Sequence, residues 1–572
     1  MKKINYFATL IMAAIVLSSC AGLNKMKENS LLIEYKAIPE VLESHADEIG
    51  VTITGKFPIK FFNKNAIVQV IPVLKYEDGE TLFDSITLQG ENVEANNKII
   101  KFETGGDFSY TDTIPYIDAM KISDLEIRMK ASIKETSVDF DPVKIAEGVI
   151  ITPKLVINNP RSLMMEDKFV RIISDSYEAD IHYVINRAEV RNSELRNEDI
   201  VNLEAYVKEA SEKENLKYTG VKISAYASPD GEYDFNEKLA EKRKETAEKY
   251  LARRLKRAEV EEAEVEGFYS LKSTAEDWDG FKKLMQESDI EDKDLILRVL
   301  SMYSDPVVRE REIKNIAETF EILKVDILPK LRRSVLGINI DKVGFSDEEI
   351  LEYVDSNPDT LDLEEVLYAG KLAGEDLDKK LAIYQLAVEK APNCYRAHNN
   401  TGWVNVLLGN LSAAKEAFEK AQSIKDMDII TNNMGVVALL ENDIKTAEEY
   451  FTSAMGAGET VNYNLGIIKV MEAEYNTAVN YFGNTRYFNT ALAKLLAGET
   501  ADALSILNSM EEKGAKTYYL IAVIGARTND TGLLFNNLRI AIGKDASLKE
   551  YAKTDMEFGK YFEDDTFKSI VE

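Results

Sequence analysis

A chain of 572 residues with 45% hydrophobic and 30% charged residues has room for three or four globular domains and an ordinary globular composition. Its net charge of −29, spread along the chain, excludes a nucleic-acid interface, because phosphate contacts need clustered Lys and Arg. Two cysteines, Cys20 and Cys394, exclude a disulfide framework, and three scattered histidines, His45, His182 and His398, suggest neither a zinc cluster nor a nucleophile–histidine pair. No motif pairs two carboxylates for glycan hydrolysis. The expectation is therefore a non-enzymatic protein, with no catalytic residue, metal site or cofactor.

The N-terminus is more specific. Met1-Lys2-Lys3 is basic, Tyr6 to Leu17 is apolar but too short to span a bilayer, and Leu17-Ser18-Ser19-Cys20 follows. This pattern resembles a bacterial lipobox. The resemblance implies a signal peptide over 1–19, acylation of Cys20, and a lipid anchor and tether over 20–30 that attaches the chain to a membrane. Ala21 to Lys25 carries no acidic residue. By likeness to lipoproteins of the Bacteroidetes, that points to an outer-membrane lipoprotein facing the periplasm.

Residues 31–170 read as β structure. Val51 to Phe57, Ala66 to Tyr76, Ser85 to Leu88, Lys98 to Phe102, Leu125 to Ile133 and Gly148 to Ile157 are apolar or alternating runs. Turn residues such as Glu77-Asp78-Gly79 and Gly105-Gly106-Asp107 separate them. This spacing predicts an antiparallel β-sandwich that serves as a spacer.

Over 171–340 the order is strand, helix, strand, helix, and then a late closing strand at Leu331 to Ile340. The apolar run Val221 to Ala227 meets Ser228-Pro229-Asp230-Gly231, and a helical pattern starts at Tyr233. Gly231, Asn236, Leu239, Ala240 and Arg243 match the loop-and-helix motif of the OmpA-like peptidoglycan-binding domain, which this region resembles. The resemblance implies that Arg243 binds a carboxylate of the diaminopimelate stem peptide, a task that suits the guanidinium fork. Asn236 would belong to the same site. The family's aspartate, which pairs with the ligand's ammonium, is replaced here by Ser228, and Asp230 is the candidate substitute. Residues 268–328 read as a helical insertion, shared with the large Bacteroidetes lipoproteins that this chain resembles. Residues 341–360 read as a connector whose short helix carries the capping box Ser346/Glu349.

From 361 to 572 the sequence repeats. Gly402 is followed by Ala414, Phe418 and Ala421, Gly435 by Ala447, Phe451 and Ala454, and Gly466 by Ala478 and Phe482. This register resembles the tetratricopeptide repeat, a helix pair with a period of roughly 34 residues. The resemblance implies an all-α solenoid with a concave groove for peptides or partner proteins. Asn399, Asn400, Asn432, Asn433, Asn462 and Asn464 precede the small residue of each first helix and are candidate clamps on a peptide backbone.

The combined expectation is an envelope scaffold lipoprotein. It joins the outer membrane to peptidoglycan, to protein partners, or to both. The alternative is a component of a secretion or assembly complex whose OmpA-like fold docks protein rather than the cell wall.

Overall fold

The computed structural model describes residues 22–315 and 317–572. The signal peptide and Cys20 lie outside the described residues. The chain forms two compact units, one comprising the residues up to Met165 with Ala391–Glu572, the other Glu166–Lys390.

The first unit opens with a helix over 22–28, whose Leu23 and Met26 are buried in the core of the sheet domain. This corrects the expected tether over 20–30. Two apolar side chains one helical turn apart dock the segment, so the chain is already part of the fold at Gly22. The sheet domain also departs from the two separate sheets of a sandwich. Its eleven strands form one hydrogen-bonded sheet, eight along a single path and three paired onto members of that path. The join is the short strand Val41–His45, antiparallel to Glu48–Phe57 and parallel to Val143–Ile150. Ala46 and Asp47, both at positive φ, make the tight turn that folds this strand back. Ile49, Val51 and Ile53 from one side of the join and Val68, Val70, Leu125 and Ile127 from the other bury into a single core. Alternation along each strand gives the sheet its inner face, as the sequence pattern requires.

The helical part of this unit is a run of antiparallel pairs, from Tyr395–Leu407 with Leu411–Ile424 to Ala515–Arg527 with Thr531–Lys544. The repeated glycines mark the crossing points. A methyl group at Gly402, Gly435 or Gly466 would lie 2.6–2.7 Å from the ring of Phe418, Phe451 or Phe482 respectively. Where alanine takes the glycine's place, at Ala491 and Ala522, the matching positions hold the smaller Leu507 and Leu538, all four fully buried. The helices and short turns of Ser547–Val571 cover the last apolar face through Phe558, Phe567 and Val571.

The sheet domain and the C-terminal helices share a polar seam. Glu557 accepts from Thr152 Oγ1 and from Arg527, whose Nε lies 2.9 and 3.0 Å from its two oxygens. His45 Nδ1 meets the Tyr475 hydroxyl at 2.6 Å. Tyr519 donates to Asp555 Oδ2 at 2.6 Å, and Lys121 reaches the Tyr551 carbonyl.

The second unit carries a four-stranded sheet in the order Ile172–His182, Arg333–Val343, Leu216–Tyr226, Tyr269–Thr274. The late strand inserts between the two earlier ones and pairs antiparallel with both. Helices Glu198–Glu212 and Tyr233–Arg257 supply Leu203, Val207, Ala247 and Leu251 to the core. The expected insertion from residue 268 starts later. Tyr269–Thr274 is a strand parallel to Leu216–Tyr226, and helices begin at Trp278. Lys272 and the exposed Ser270 break the apolar run of this strand, so no strand pattern stands out in the sequence. Beyond the sheet, the capping box of Ser346 and Glu349 starts the helix Asp347–Ser356, and the pair Leu363–Leu372 with Leu377–Lys390 closes the unit.

Burial pushes the Asp555 carboxyl up to about 6, against the hydrogen bond from Tyr519, which favours the charged form. A carboxyl with a raised folded-state pKa favours folding below its unfolded value and loses that contribution as pH rises through about 6. Chemical unfolding of wild type and Asp555→Asn at about pH 4.5 and pH 7.5 is expected to show the variant gaining about 2 kcal/mol relative to wild type at the higher pH.

Candidate functional site

The concave side of the helix pairs is built by asparagines two residues before each small crossing residue. Asn400 precedes Gly402, Asn433 precedes Gly435, Asn464 precedes Gly466, and Asn489 precedes Ala491. All four are buried. A carboxamide offers one acceptor and two donors, so it can satisfy both the N–H and the C=O of a single residue in an extended chain. Each of the four does so, and the extended chain is the protein's own segment 157–165.

Asn489 Oδ1 accepts from Ile157 N at 2.9 Å, and its Nδ2 donates to Ile157 O at 2.8 Å. Asn464 takes Arg161 in the same way at 2.7 and 3.0 Å, Asn433 takes Leu163 at 2.7 and 2.7 Å, and Asn400 takes Met165 at 2.8 and 2.9 Å. From Arg161 to Met165 every second residue is held, which matches the two-residue period of an extended strand. The second asparagine of each pair reinforces the first. Asn399 Nδ2 donates to Leu163 O and Asn432 Nδ2 to Arg161 O, both at 3.1 Å. Their oxygens accept from Asn433 and Asn464 at 2.9 and 3.0 Å, so the amides are linked from repeat to repeat. Asn462 is half-buried and is not among these contacts. Asn489 was missed by sequence reading because its repeat is shortened, although its offset from Ala491 is that of the other three.

Side chains add selectivity. The Arg161 guanidinium lies over the rings of both Tyr463 and Tyr487, 4.1 and 4.0 Å from their centres. Met165 is buried against Phe418, Ile430 and Val437. Tyr463 donates to Asn159 Oδ1 at 2.8 Å. The segment is thus held by backbone, cation–π and apolar contacts together.

The second unit brings Ser228, Asp230 and Asn236 into one loop. Asn236 Nδ2 donates to Ser228 O at 3.1 Å and to Gly231 O at 3.2 Å, closing the turn before the long helix. Arg243, two turns along that helix, is 1% exposed. Its Nε donates to Arg187 O at 3.0 Å, Nη1 to Tyr226 O at 2.8 Å and Nη2 to Val184 O at 3.4 Å. Burial pulls its pKa down to about 10, which leaves it charged at neutral pH. A residue the sequence reading gave no role completes the cluster. Arg332 Nε donates to Ser228 Oγ at 3.1 Å, and its Nη2 to Asp230 Oδ2 at 3.0 Å. Ser228 and Asp230 are hydrogen-bonded to each other as well. Arg332 lies just before the closing strand, more than a hundred positions from the loop, and no local pattern marks it.

Among the described residues no group of three or more His, Cys, Asp or Glu is placed to hold a metal ion, and no helix is long and apolar enough to cross a membrane. Cys394 is a buried free thiol.

No protein-family model matches this chain, and no curated protein does. Among solved structures, it is similar to a tetratricopeptide repeat protein from Parabacteroides merdae, at 16% identity over 37% of this chain and 91% of that one, with a TM-score of 0.30. It is also similar to PilW, described as a widely conserved type IV pilus biogenesis factor, at 17% identity over 40% and 98%, with a TM-score of 0.28. A third is YrrB, described as a TPR protein with an unusual peptide-binding site, at 20% identity over 36% and 99%, with a TM-score of 0.20. The repeat architecture itself rests on the helix pairs and crossing residues of this chain.

Removing Asn433 strands the Leu163 N–H and the Asn399 Oδ1, while Leu163 O keeps its bond from Asn399, and each stranded group costs about 1–3 kcal/mol. Asn433→Ala is therefore expected to lower stability by about 2–4 kcal/mol and to open segment 157–165 to proteolysis, whereas Asn462→Ala stays within about 0.5 kcal/mol of wild type. Chemical unfolding and protease mapping of the two variants check this.

Proposed function

We propose that this protein is a non-enzymatic scaffold for protein–protein interaction, carried on the outer membrane by acylated Cys20 and facing the periplasm. The single observation that carries the scaffold reading is the asparagine ladder. A groove built to hold peptide backbone is spent on the chain's own segment 157–165, and this fastens the sheet domain to the repeats as one unit. A partner that used the same groove would have to displace a ligand that is covalently attached and so present at high effective concentration. In this reading other protein partners bind elsewhere, on the outer faces of the helices or on the unit of residues 166–390.

For that unit we favour docking of protein over binding of peptidoglycan. The supporting observation is the cation at the loop. If a stem peptide sat as the family resemblance implies, its ammonium would approach Ser228 and would meet the Arg332 guanidinium already bonded there. Like charges at such a distance repel. Asp230, the candidate partner for the ammonium, is paired with the same arginine. Arg243 already donates to three carbonyls and has no exposed face to offer a carboxylate. The wall tether remains the second reading, carried by the loop's match to the family motif.

The test is co-sedimentation of the full mature chain, unacylated as Cys20→Ser, with isolated peptidoglycan. The expected result is that the protein stays in the supernatant. Sedimentation with the sacculi that free diaminopimelate reverses would overturn the protein-docking reading and restore the wall tether.

A further inference from the structure

One end of the sheet domain carries large apolar side chains that none of the described residues covers. Leu31 is 84% exposed, Leu32 60% and Ile59 66%. They flank two neighbouring strands, Leu31 and Leu32 in the short 3-10 turn Ser30–Leu32 before one and Ile59 in the turn after the other. Glu34 of the strand Glu34–Ile38 lies opposite Lys56 of Glu48–Phe57 in antiparallel register. Outward from that pair, Leu32 and Leu31 follow on one strand's approach, and Pro58 and Ile59 on the other's exit, so all three apolar residues leave the sheet at the same end. The loop that holds Ile59 is fixed there. Lys60 N donates to Phe102 O at 2.6 Å, and Asn63 N lies 3.5 Å from Met26 Sδ.

The helix over 22–28 packs on this same loop. Gly22 approaches Asn63 so closely that a methyl there would lie 2.6 Å from Asn63 Nδ2. The position proposed for acylation, Cys20, is two residues earlier in the sequence. Two residues span at most roughly 7 Å. A lipid on Cys20 therefore has no long tether to work through, and the bilayer surface has to lie beside the loop that carries Ile59. The exposed charges of this end are mixed, with Lys25, Lys56 and Lys60 against Glu28, Glu34 and Glu103, unlike the strongly acidic chain as a whole.

We infer that this end of the sheet domain lies on the bilayer, with Leu31, Leu32 and Ile59 in the boundary between headgroups and acyl chains. The inference rests on the proposed acylation of Cys20 and adds to it a fixed orientation. The protein stands on the membrane by its sheet domain instead of hanging from a flexible leash. Apolar side chains at such a boundary strengthen attachment, and the lipid supplies the larger share.

The experiment uses the full acylated chain in phospholipid vesicles, with an environment-sensitive fluorophore on Ile59→Cys or Leu31→Cys. Asp78→Cys, at the opposite end of the strand Ile67–Tyr76, is the control. The expected result is a blue shift and loss of intensity to bilayer-embedded quenchers at positions 31 and 59, with neither at position 78. Flotation of the protein with vesicles, with labels at 31 and 59 as solvent-exposed as the one at 78, would overturn the orientation and leave the anchor intact. Failure of the chain to gain the acyl mass or to float would overturn the anchor and the inference with it.

Discussion

The fold of the larger unit depends on four carboxamides each holding both backbone groups of one residue in an extended segment. Segment 157–165 has no sheet neighbour, so without Asn400, Asn433, Asn464 and Asn489 the N–H groups of Met165, Leu163, Arg161 and Ile157 would lose their partners. Leaving such groups unsatisfied is more costly than any single bond is worth. The asparagines are equally dependent on the segment, since each is buried in a helix face where water does not reach. This mutual need explains why the residues up to Met165 and those from Ala391 form one compact unit although another folded unit separates them in sequence. The segment's direction follows from the same geometry. It runs antiparallel to the repeat order, from Asn489 to Asn400, and its two-residue step sets which residues face the clamps.

In the smaller unit, charge placement decides what the loop can bind. Fold and ligand separate here. Gly231, Asn236 and Leu239 serve the turn and the packing of the long helix whatever the loop binds, and a fold by itself does not fix the chemistry of its site. Ser228 is uncharged, and Arg332 sets a cation against it and pairs with Asp230. The Arg243 fork organises three carbonyls of the strand end and the preceding loop. A buried guanidinium with its donors on carbonyls is a structural element as much as a recognition group.

Two of the departures from the sequence-based expectation, at residues 22–28 and at Tyr269–Thr274, have one cause. Residues 22–28 look like a polar leash because only Leu23 and Met26 are large and apolar, yet two such residues one turn apart suffice when a core is ready to receive them. Tyr269–Thr274 looks like part of a helical insertion because an edge strand with one solvated face needs few apolar residues. In both cases the stabilising contact is supplied by residues far away in sequence, and a short window holds no trace of it. The shortened repeat hid Asn489 for a related reason. The repeat period shifts there, whereas the physical constraint is the offset from the crossing residue.

What the sequence by itself determined is everything that repeats locally: the strand alternation, the capping box at Ser346, the glycine–phenylalanine crossings, and the asparagines set two residues before them. These follow from helix and strand periodicity, which any stretch of a dozen residues displays. What only the tertiary structure decided is who meets whom. That the groove's asparagines hold Arg161, Leu163 and Met165 of the same chain, that Arg332 reaches Ser228, and that a strand at Val41–His45 joins the halves of the sheet are long-range pairings. They are fixed by how buried polar groups find partners when the whole chain is compact, and no local rule encodes that choice.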